Sequence, residues 1–296
     1  MREHKTKTEA SERGPFLLPM KKRIGIQGYK GSYHEQAAKH YFGKEIDVVP
    51  ARTFQDLVRM GEDAGQTDGA IMAIENSIAG SIIQNYTLLL ESHLKVVGEI
   101  YLRINHQLMA LPGTTIGQLA EVHSHHMAIH QCRKFFHDYP EIHLVETADT
   151  ALSAQEIKEK KLANVGAIAG KQAAELYGLQ ILAAGIETVK NNYTRFLILS
   201  REEVLNGHVP NKASLHFRVS HNPGSLMKAL ATIAEHGLNV SKIQSFPVIE
   251  EEWRYYFHCD VEFTQRDAFD RALDGLKRAT EMLRVLGIYQ KGETIV

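Results

Sequence analysis

A chain of 296 residues with 44% hydrophobic and 23% charged side chains has the composition of a globular protein long enough for two domains. Its formal net charge of −1 gives no electrostatic reason to bind nucleic acid or an anionic membrane, and no apolar run approaches the ~20 residues a membrane-spanning helix needs. Two cysteines, Cys132 and Cys259, without CxxC or Cys/His spacing, argue against a disulfide framework or a zinc site and suit a reducing cytoplasm.

Residues 1–20 are polar and charged apart from a short FLL, too brief for a secretory signal, and read as a disordered leader; Met20 is an alternative start. RIGIQG then reads as a strand, Ser32 to Tyr41 as a helix, and IDVVP as a second strand, with Thr53 placed to cap a helix over FQDLVRMGEDA. GAIMAIE reads as a third strand ending at Asn76-Ser77. This alternation predicts a parallel sheet with helices on both faces and ligands at the carboxyl ends of its strands. LAEVHSH, QCRKFFHDY, IHLVETA and VGAIAG repeat the cadence, and ETVKNNYTRFLILS reads as a return strand. The expectation over 21–201 is two α/β lobes with a cleft between them, the chain crossing back near residue 190.

Residues 202–212 are polar with Gly and Pro and read as a linker. Over 213–296 the pattern changes. Leu215, Phe217 and Val219 alternate as a strand, Asn222 and Pro223 are suited to open a helix, and Gly237 is suited to end it. LNVSKIQSFPV and RYYFHCDVEF read as strands, Asp267 to Thr280 as a helix and VLGIY as a last strand. The order βαββαβ is that of an α+β ferredoxin-like unit.

Four segments bear on chemistry. GIQGYKG lacks the spacing of a dinucleotide fingerprint and reads as a tight strand-to-helix turn that bares backbone N–H groups to an anion. Glu75, Asn76 and Ser77 end an apolar strand, where they either face a cleft or cap the next helix. His123, His125, His126 and His130 invite a metal, but the segment has no accompanying acidic ligand. Thr194 and Arg195 begin an apolar strand; beside a cleft they would suit a carboxylate substrate, since Arg offers a bidentate fork and Thr a hydroxyl.

Taken together these segments resemble the prephenate dehydratase family. The resemblance runs through Gly28-Tyr-Lys-Gly-Ser-Tyr-His, Ile74-Glu-Asn-Ser, Ser124-His to Gln131-Cys132, Thr150-Ala, Ala174-Glu-Leu-Tyr-Gly-Leu and Asn192-Tyr-Thr-Arg-Phe. The tail, with Asn222-Pro-Gly-Ser-Leu, resembles an ACT regulatory domain. Ala73 and His126-Met127 depart from the family pattern at flanking positions. Gln244-Ser-Phe-Pro stands where such domains often read Glu-Ser-Arg-Pro, which bears on phenylalanine binding.

The resemblance implies a periplasmic-binding-protein-like (type II) catalytic fold, no cofactor and no metal. The implied reaction is loss of CO2 and water from prephenate to give phenylpyruvate, driven by aromatisation of the ring. Thr194 is the implied proton donor to the leaving hydroxyl, and Glu75, Asn76, Ser77, Ser124, Gln131, Thr150, Arg195 and Phe196 the implied substrate-binding set. Phenylalanine is implied as a feedback effector near Asn222, Gly224, Ser225, Leu226, Gln244 and Ser245, in a homodimer or homotetramer. An arogenate dehydratase and a non-catalytic amino-acid or solute sensor are the alternatives.

Overall fold

A computed structural model describes residues 21–203, 209–248, 251 and 253–296. The expected leader and alternative start, and residues 204–208 of the expected linker, lie outside the described residues. The first lobe is built from β1 (Lys22–Gln27), α1 (Tyr33–Phe42), β2 (Ile46–Ala51), α2 (Phe54–Glu62), β3 (Gly69–Asn76), the short β4 (Gly80–Ser81), α3 (Ile83–Glu91) and β5 (Lys95–Arg103). The chain then crosses to the second lobe, with β6 (Gln107–Ala110), β7 (Glu121–His125), α4 (His126–Cys132), β8 (His143–Thr147), α5 (Thr150–Lys160), β9 (Val165–Ala169), α6 (Lys171–Tyr177) and β10 (Gln180–Ala183). It returns as β11 (Tyr193–Ser200). The C-terminal part has β12 (Lys212–Arg218), α7 (Ser225–Glu235), β13 (Asn239–Pro247), β14 (Tyr255–Glu262), α8 (Arg266–Ala279), β15 (Met282–Tyr289) and β16 (Thr294–Ile295).

The first sheet is ordered β16-β5-β11-β3-β1-β2 and is mixed, correcting the expectation of a parallel one. β1, β2 and β3 run parallel, but β11 is antiparallel to both of its neighbours, because the chain re-enters from the second lobe and runs back between β3 and β5. The second sheet is ordered β10-β6-β9-β7-β8. Local signals explain the helix starts. The Thr53 hydroxyl accepts from Asp56 N at the head of α2, and Asp149 Oδ1 accepts from Ala151 N (2.8 Å) and Leu152 N (2.9 Å) at the head of α5. At α7 the start differs from expectation. Ser225 N bonds back to Asn222 O, so Asn222-Pro223 form a preceding turn, and Gly224, at φ 83°, is the cap.

The four-stranded C-terminal sheet, ordered β13-β14-β12-β15, has the ferredoxin-like arrangement. It does not hang free. Phe246, Leu286 and Tyr289 share one apolar core with Leu197 and Leu199 of β11 and with Tyr86 and Leu89 of α3. Burying each such side chain contributes roughly 1.5–3 kcal/mol. The Arg284 guanidinium donates to the carbonyls of Leu90 and Ser92 at the end of α3, where a cation also meets the helix dipole. Strand β12 begins at Lys212, inside the expected linker, and β16 pairs with β5, so the chain's last residues extend the first lobe's sheet.

Candidate active site

The two lobes enclose a cleft of about 500 Å³ between the ends of β1, β3 and β11 and the heads of α1, α4 and α5. Among the described residues that line it there is no lysine or arginine. Thr194 lies there, 9% exposed, opposite Asn76 across the β3–β11 register. Asn76 is held rigidly. Its Oδ1 accepts from Ile78 N (3.0 Å) and Ala79 N (2.9 Å), which fixes the amide so that Nδ2 donates to Thr194 Oγ1 (3.1 Å) and Asn192 Oδ1 (2.7 Å). The Thr194 oxygen therefore accepts from Asn76. Its own O–H has no protein acceptor among the described residues and is free to donate into the cleft.

The same logic runs on toward the second lobe. Asn192 Nδ2 donates to Gln131 Oε1 (2.9 Å), which also lies 3.0 Å from His106 Nε2. With Gln131 Oε1 already accepting from Asn192, His106 carries its proton on Nε2 and donates to the same oxygen, which leaves Gln131 Nε2 without a protein acceptor among the described residues. The Tyr33 hydroxyl donates to Asn105 O (2.9 Å) and lies 3.1 Å from His106 Nδ1. Burial lowers the pKa of His106 and drives that of His34 to about 3, so both are neutral near pH 7. His34 packs edge-on against Phe196, which with Phe54 and Ile104 makes an apolar wall suited to a ring.

The expected site residues divide. Thr194, Asn76, Gln131, Thr150 and Phe196 line the cleft. Ser77 and Ser124 do not. Ser77 Oγ accepts from Tyr193 N and pins the start of β11, while the fully buried Ser124 Oγ donates to Ile168 O (2.6 Å) and ties β7 to β9. Arg195, expected as a carboxylate anchor, faces away. Its guanidinium donates to Glu99 (2.7 Å), Asp260 and Tyr289 at the boundary with the C-terminal sheet. Glu75 faces the same way and is bonded by Lys242 Nζ at 2.6 Å. The reason is geometric. Successive strand residues point to opposite faces, and a bulge at Ile74, where the register passes from Arg195↔Glu75 to Phe196↔Ala73, turns Glu75 away and Asn76 toward the cleft.

Other expectations are redirected. The two glycine amides of the Gly28–Gly31 turn are not bared, since Gly31 N donates to Glu35 Oε2 and Gly28 N to Ala51 O. His123 pairs with Glu121 while His125 accepts from Met127 N, and no metal-holding cluster occurs among the described residues. The site also recruits Tyr33, His34, His106, Ser81 and Asp149, none of which was nominated from sequence. Tyr33 and His34 fall inside a matched motif, and Asp149 carries a helix-cap signal. His106 lies at the interlobe crossing, where no local pattern marks it.

Asn222, Gly224, Ser225 and Leu226 line a second pocket of about 590 Å³ at the head of α7, together with Arg254 and Tyr255. Gln244 does not join them. It faces the first lobe, where its Oε1 accepts from Ser81 Oγ (3.2 Å), while Ser245 is exposed on the other face of the edge strand β13. Alternation along β13 sends Lys242, Gln244 and Phe246 to one side and Ser245 to the other.

Over residues 24–204 the chain matches the family described as prephenate dehydratase. It is 37% identical over 285 residues to the chloroplastic arogenate dehydratase/prephenate dehydratase 1 of Arabidopsis thaliana, covering 91% of this chain and 72% of that protein. Among solved structures, the prephenate dehydratase of Arthrobacter aurescens in complex with L-Phe is 26% identical with a TM-score of 0.82, over 90% of this chain and 89% of that one. GqqA, described as a novel type of quorum-quenching acylase, is 33% identical with a TM-score of 0.82, over 91% and 98%. With a family match over more than half its length and a relative of this identity, the chain belongs to the prephenate dehydratase family.

Proposed function

We propose that the cleft carries out the decarboxylating dehydration of prephenate to phenylpyruvate, and that the same elimination on arogenate gives phenylalanine. The ring carboxylate leaves as CO2, its bonding electrons aromatise the ring, and the hydroxyl departs with a proton as water. One observation carries this reading: the Thr194 O–H, oriented by Asn76 and free to donate, stands in a cleft whose described lining has no cation. The hydroxyl protonates or hydrogen-bonds the leaving oxygen. A lysine or arginine beside the departing carboxylate would stabilise the ground state and oppose decarboxylation, so its absence from that lining fits the chemistry. Gln131 Nε2 and Thr150 supply neutral donors, and Phe196 packs near the ring.

An acylase would need an activated nucleophile. Among the described residues no serine or threonine hydroxyl lining the cleft is bonded to a histidine. Ser81 accepts from Lys242 Nζ (2.9 Å), and that nitrogen is already engaged in the 2.6 Å ion pair with Glu75. The dehydratase reading is tested by mixing purified protein with prephenate and following phenylpyruvate, then repeating with arogenate. Absence of turnover on both substrates would refute it and revive the sensor alternative.

We further assign 21–201 as the catalytic unit, of the type II periplasmic-binding class, on the order β2-β1-β3-β11-β5 with its antiparallel return strand. We assign 213–296 as an ACT regulatory domain that binds phenylalanine in the pocket around Asn222, Gly224, Ser225 and Leu226. The relative solved with L-Phe supports that ligand. The open edge of β13, with Ile243 and Ser245 exposed, suits edge-to-edge pairing in a homodimer or homotetramer. Both cysteines are buried and free, in keeping with a cytoplasmic protein.

A further inference from the structure

We infer that Asp149 sets the substrate preference of the cleft, accepting the side-chain ammonium of arogenate and disfavouring the keto arm of prephenate. The inference rests on the dehydratase reading. Asp149 is the N-cap of α5, yet capping occupies only Oδ1, which takes the N–H groups of Ala151 and Leu152. Oδ2 receives no hydrogen bond among the described residues. It lies where the second lobe meets the first. A side-chain carbon on Gly28 would come within 2.8 Å of it, and Gly28, at φ 96°, is a glycine that leaves the space clear.

The surroundings offer this carboxylate no counter-charge. Among the described residues lining the cleft it is the sole carboxylate, with no lysine or arginine beside it. Burial pulls His34, His106 and His125 toward their neutral forms, and it raises the Asp149 carboxyl above the usual carboxylate range. A substrate ammonium would repair that imbalance, placing a charge-assisted donor on Oδ2 and a cation against a half-buried anion. Prephenate brings the opposite. Both its ionised groups are anionic, and its keto oxygen is an acceptor that would face another acceptor. Sites built to hydrogen-bond an N–H group reject analogues lacking it far more strongly than apolar pockets reject a missing methylene.

The test is kcat/KM on arogenate and on prephenate for the parent chain and for Asp149→Asn, with Asp149→Ser as a second variant. Asn and Ser both keep a helix-capping oxygen, so α5 retains its start. The parent chain is expected to prefer arogenate, and both variants are expected to lower the arogenate-to-prephenate ratio at least tenfold. A ratio unchanged in folded variants would reduce Asp149 to a cap and overturn the inference, as would a parent chain that prefers prephenate. No turnover of either substrate by the parent chain would instead bring down the dehydratase reading, and the inference with it.

Discussion

The two faces of β11 differ as much as any two regions of the molecule. Toward the cleft, Thr194 and Phe196 present a hydroxyl and a ring to a space whose described lining has no lysine or arginine. Away from it, Arg195 enters a buried ionic layer in which Arg195 and Lys212 are matched by Glu99 and Asp260, all at most 4% exposed. Burial alone would raise the Asp260 carboxyl, but Arg195, His258 and Lys212 hold it well below the usual range. Adjacent residues of one strand thus do different work. In the proposed mechanism one face gives a hydrogen to the substrate, while the other fastens the strand to the C-terminal sheet. Chemistry that must not stabilise a carboxylate is kept apart from the cations that the fold needs.

Exchanging one residue on each face sharpens that contrast. Thr194→Ala is expected to lower kcat by about 10²–10⁴-fold with little change in KM and a near-native denaturation midpoint, because it deletes a donor used as the bond breaks. Steady-state rates beside urea melts of the same preparation decide this; an unchanged kcat removes Thr194 from the chemistry. Arg195→Met acts the other way. It leaves Glu99 and Asp260 without their shared cation, a loss of about 3–5 kcal/mol in unfolding free energy. The molecules that remain folded should keep kcat within about tenfold, a smaller loss than that expected at a group acting directly in proton transfer. If Arg195→Met abolishes turnover at full stability, the two faces are not separable in this way.

Acid probes the boundary layer differently. His216 of β12 is buried between Phe246 and Tyr256 with neither ring nitrogen hydrogen-bonded among the described residues, and burial lowers its pKa to about 3. An unfolded histidine titrates near 6.5, so between these values the unfolded chain binds the extra proton. The stability contributed by neutral His216 is fully present above about pH 6.5 and is lost as pH falls toward 3, at up to about 1.4 kcal/mol per pH unit. His34 adds a parallel loss in the cleft. Melting temperatures from about pH 6.5 to about pH 4.5 should therefore decline less steeply in His216→Phe. Identical slopes would mean that the ring takes up its proton without disturbing the layer.

Much of this arrangement was legible in the sequence, and the misses share a cause. Strand and helix periodicity, the Thr53 cap and the return of the chain near residue 190 all follow from local pattern. Thr194, Asn76 and Gln131 were nominated and meet in one cleft. Arg195 was misread because residue type suggested a carboxylate partner while strand alternation, the deciding fact, depends on a sheet not yet known. The bulge at Ile74 that separates Glu75 from Asn76 leaves no composition signal at all. Nor does the seating of β15 on β5, where a side chain on Gly287 would collide with the Val96 carbonyl. Contacts between distant segments decide such points, and His106, isolated at the crossing, shows the same dependence.

The smallest expected effect is also the most direct probe of how the C-terminal sheet speaks to the cleft. Ser81 lines the cleft, yet its hydroxyl is held from the other side by Lys242 Nζ (2.9 Å) and Gln244 Oε1 (3.2 Å) of β13, and Lys242 also holds Glu75, next to Asn76. A displacement of β13 would be passed through these bonds to the β3–β4 turn and to the amide that orients Thr194. Deleting the Ser81 hydroxyl removes two such bonds but leaves Lys242 on Glu75 and the apolar contact of Phe246 with Tyr86. Ser81→Ala should therefore weaken the proposed phenylalanine inhibition only a few-fold, a part of the ~1–3 kcal/mol usual for coupling between sites. Binding of phenylalanine to the free protein, read by calorimetry, should change less than its inhibition constant. If both move together by the same factor, Ser81 affects the effector pocket itself. If neither moves, the coupling passes through the apolar layer around Phe246 and the ionic layer beneath β11.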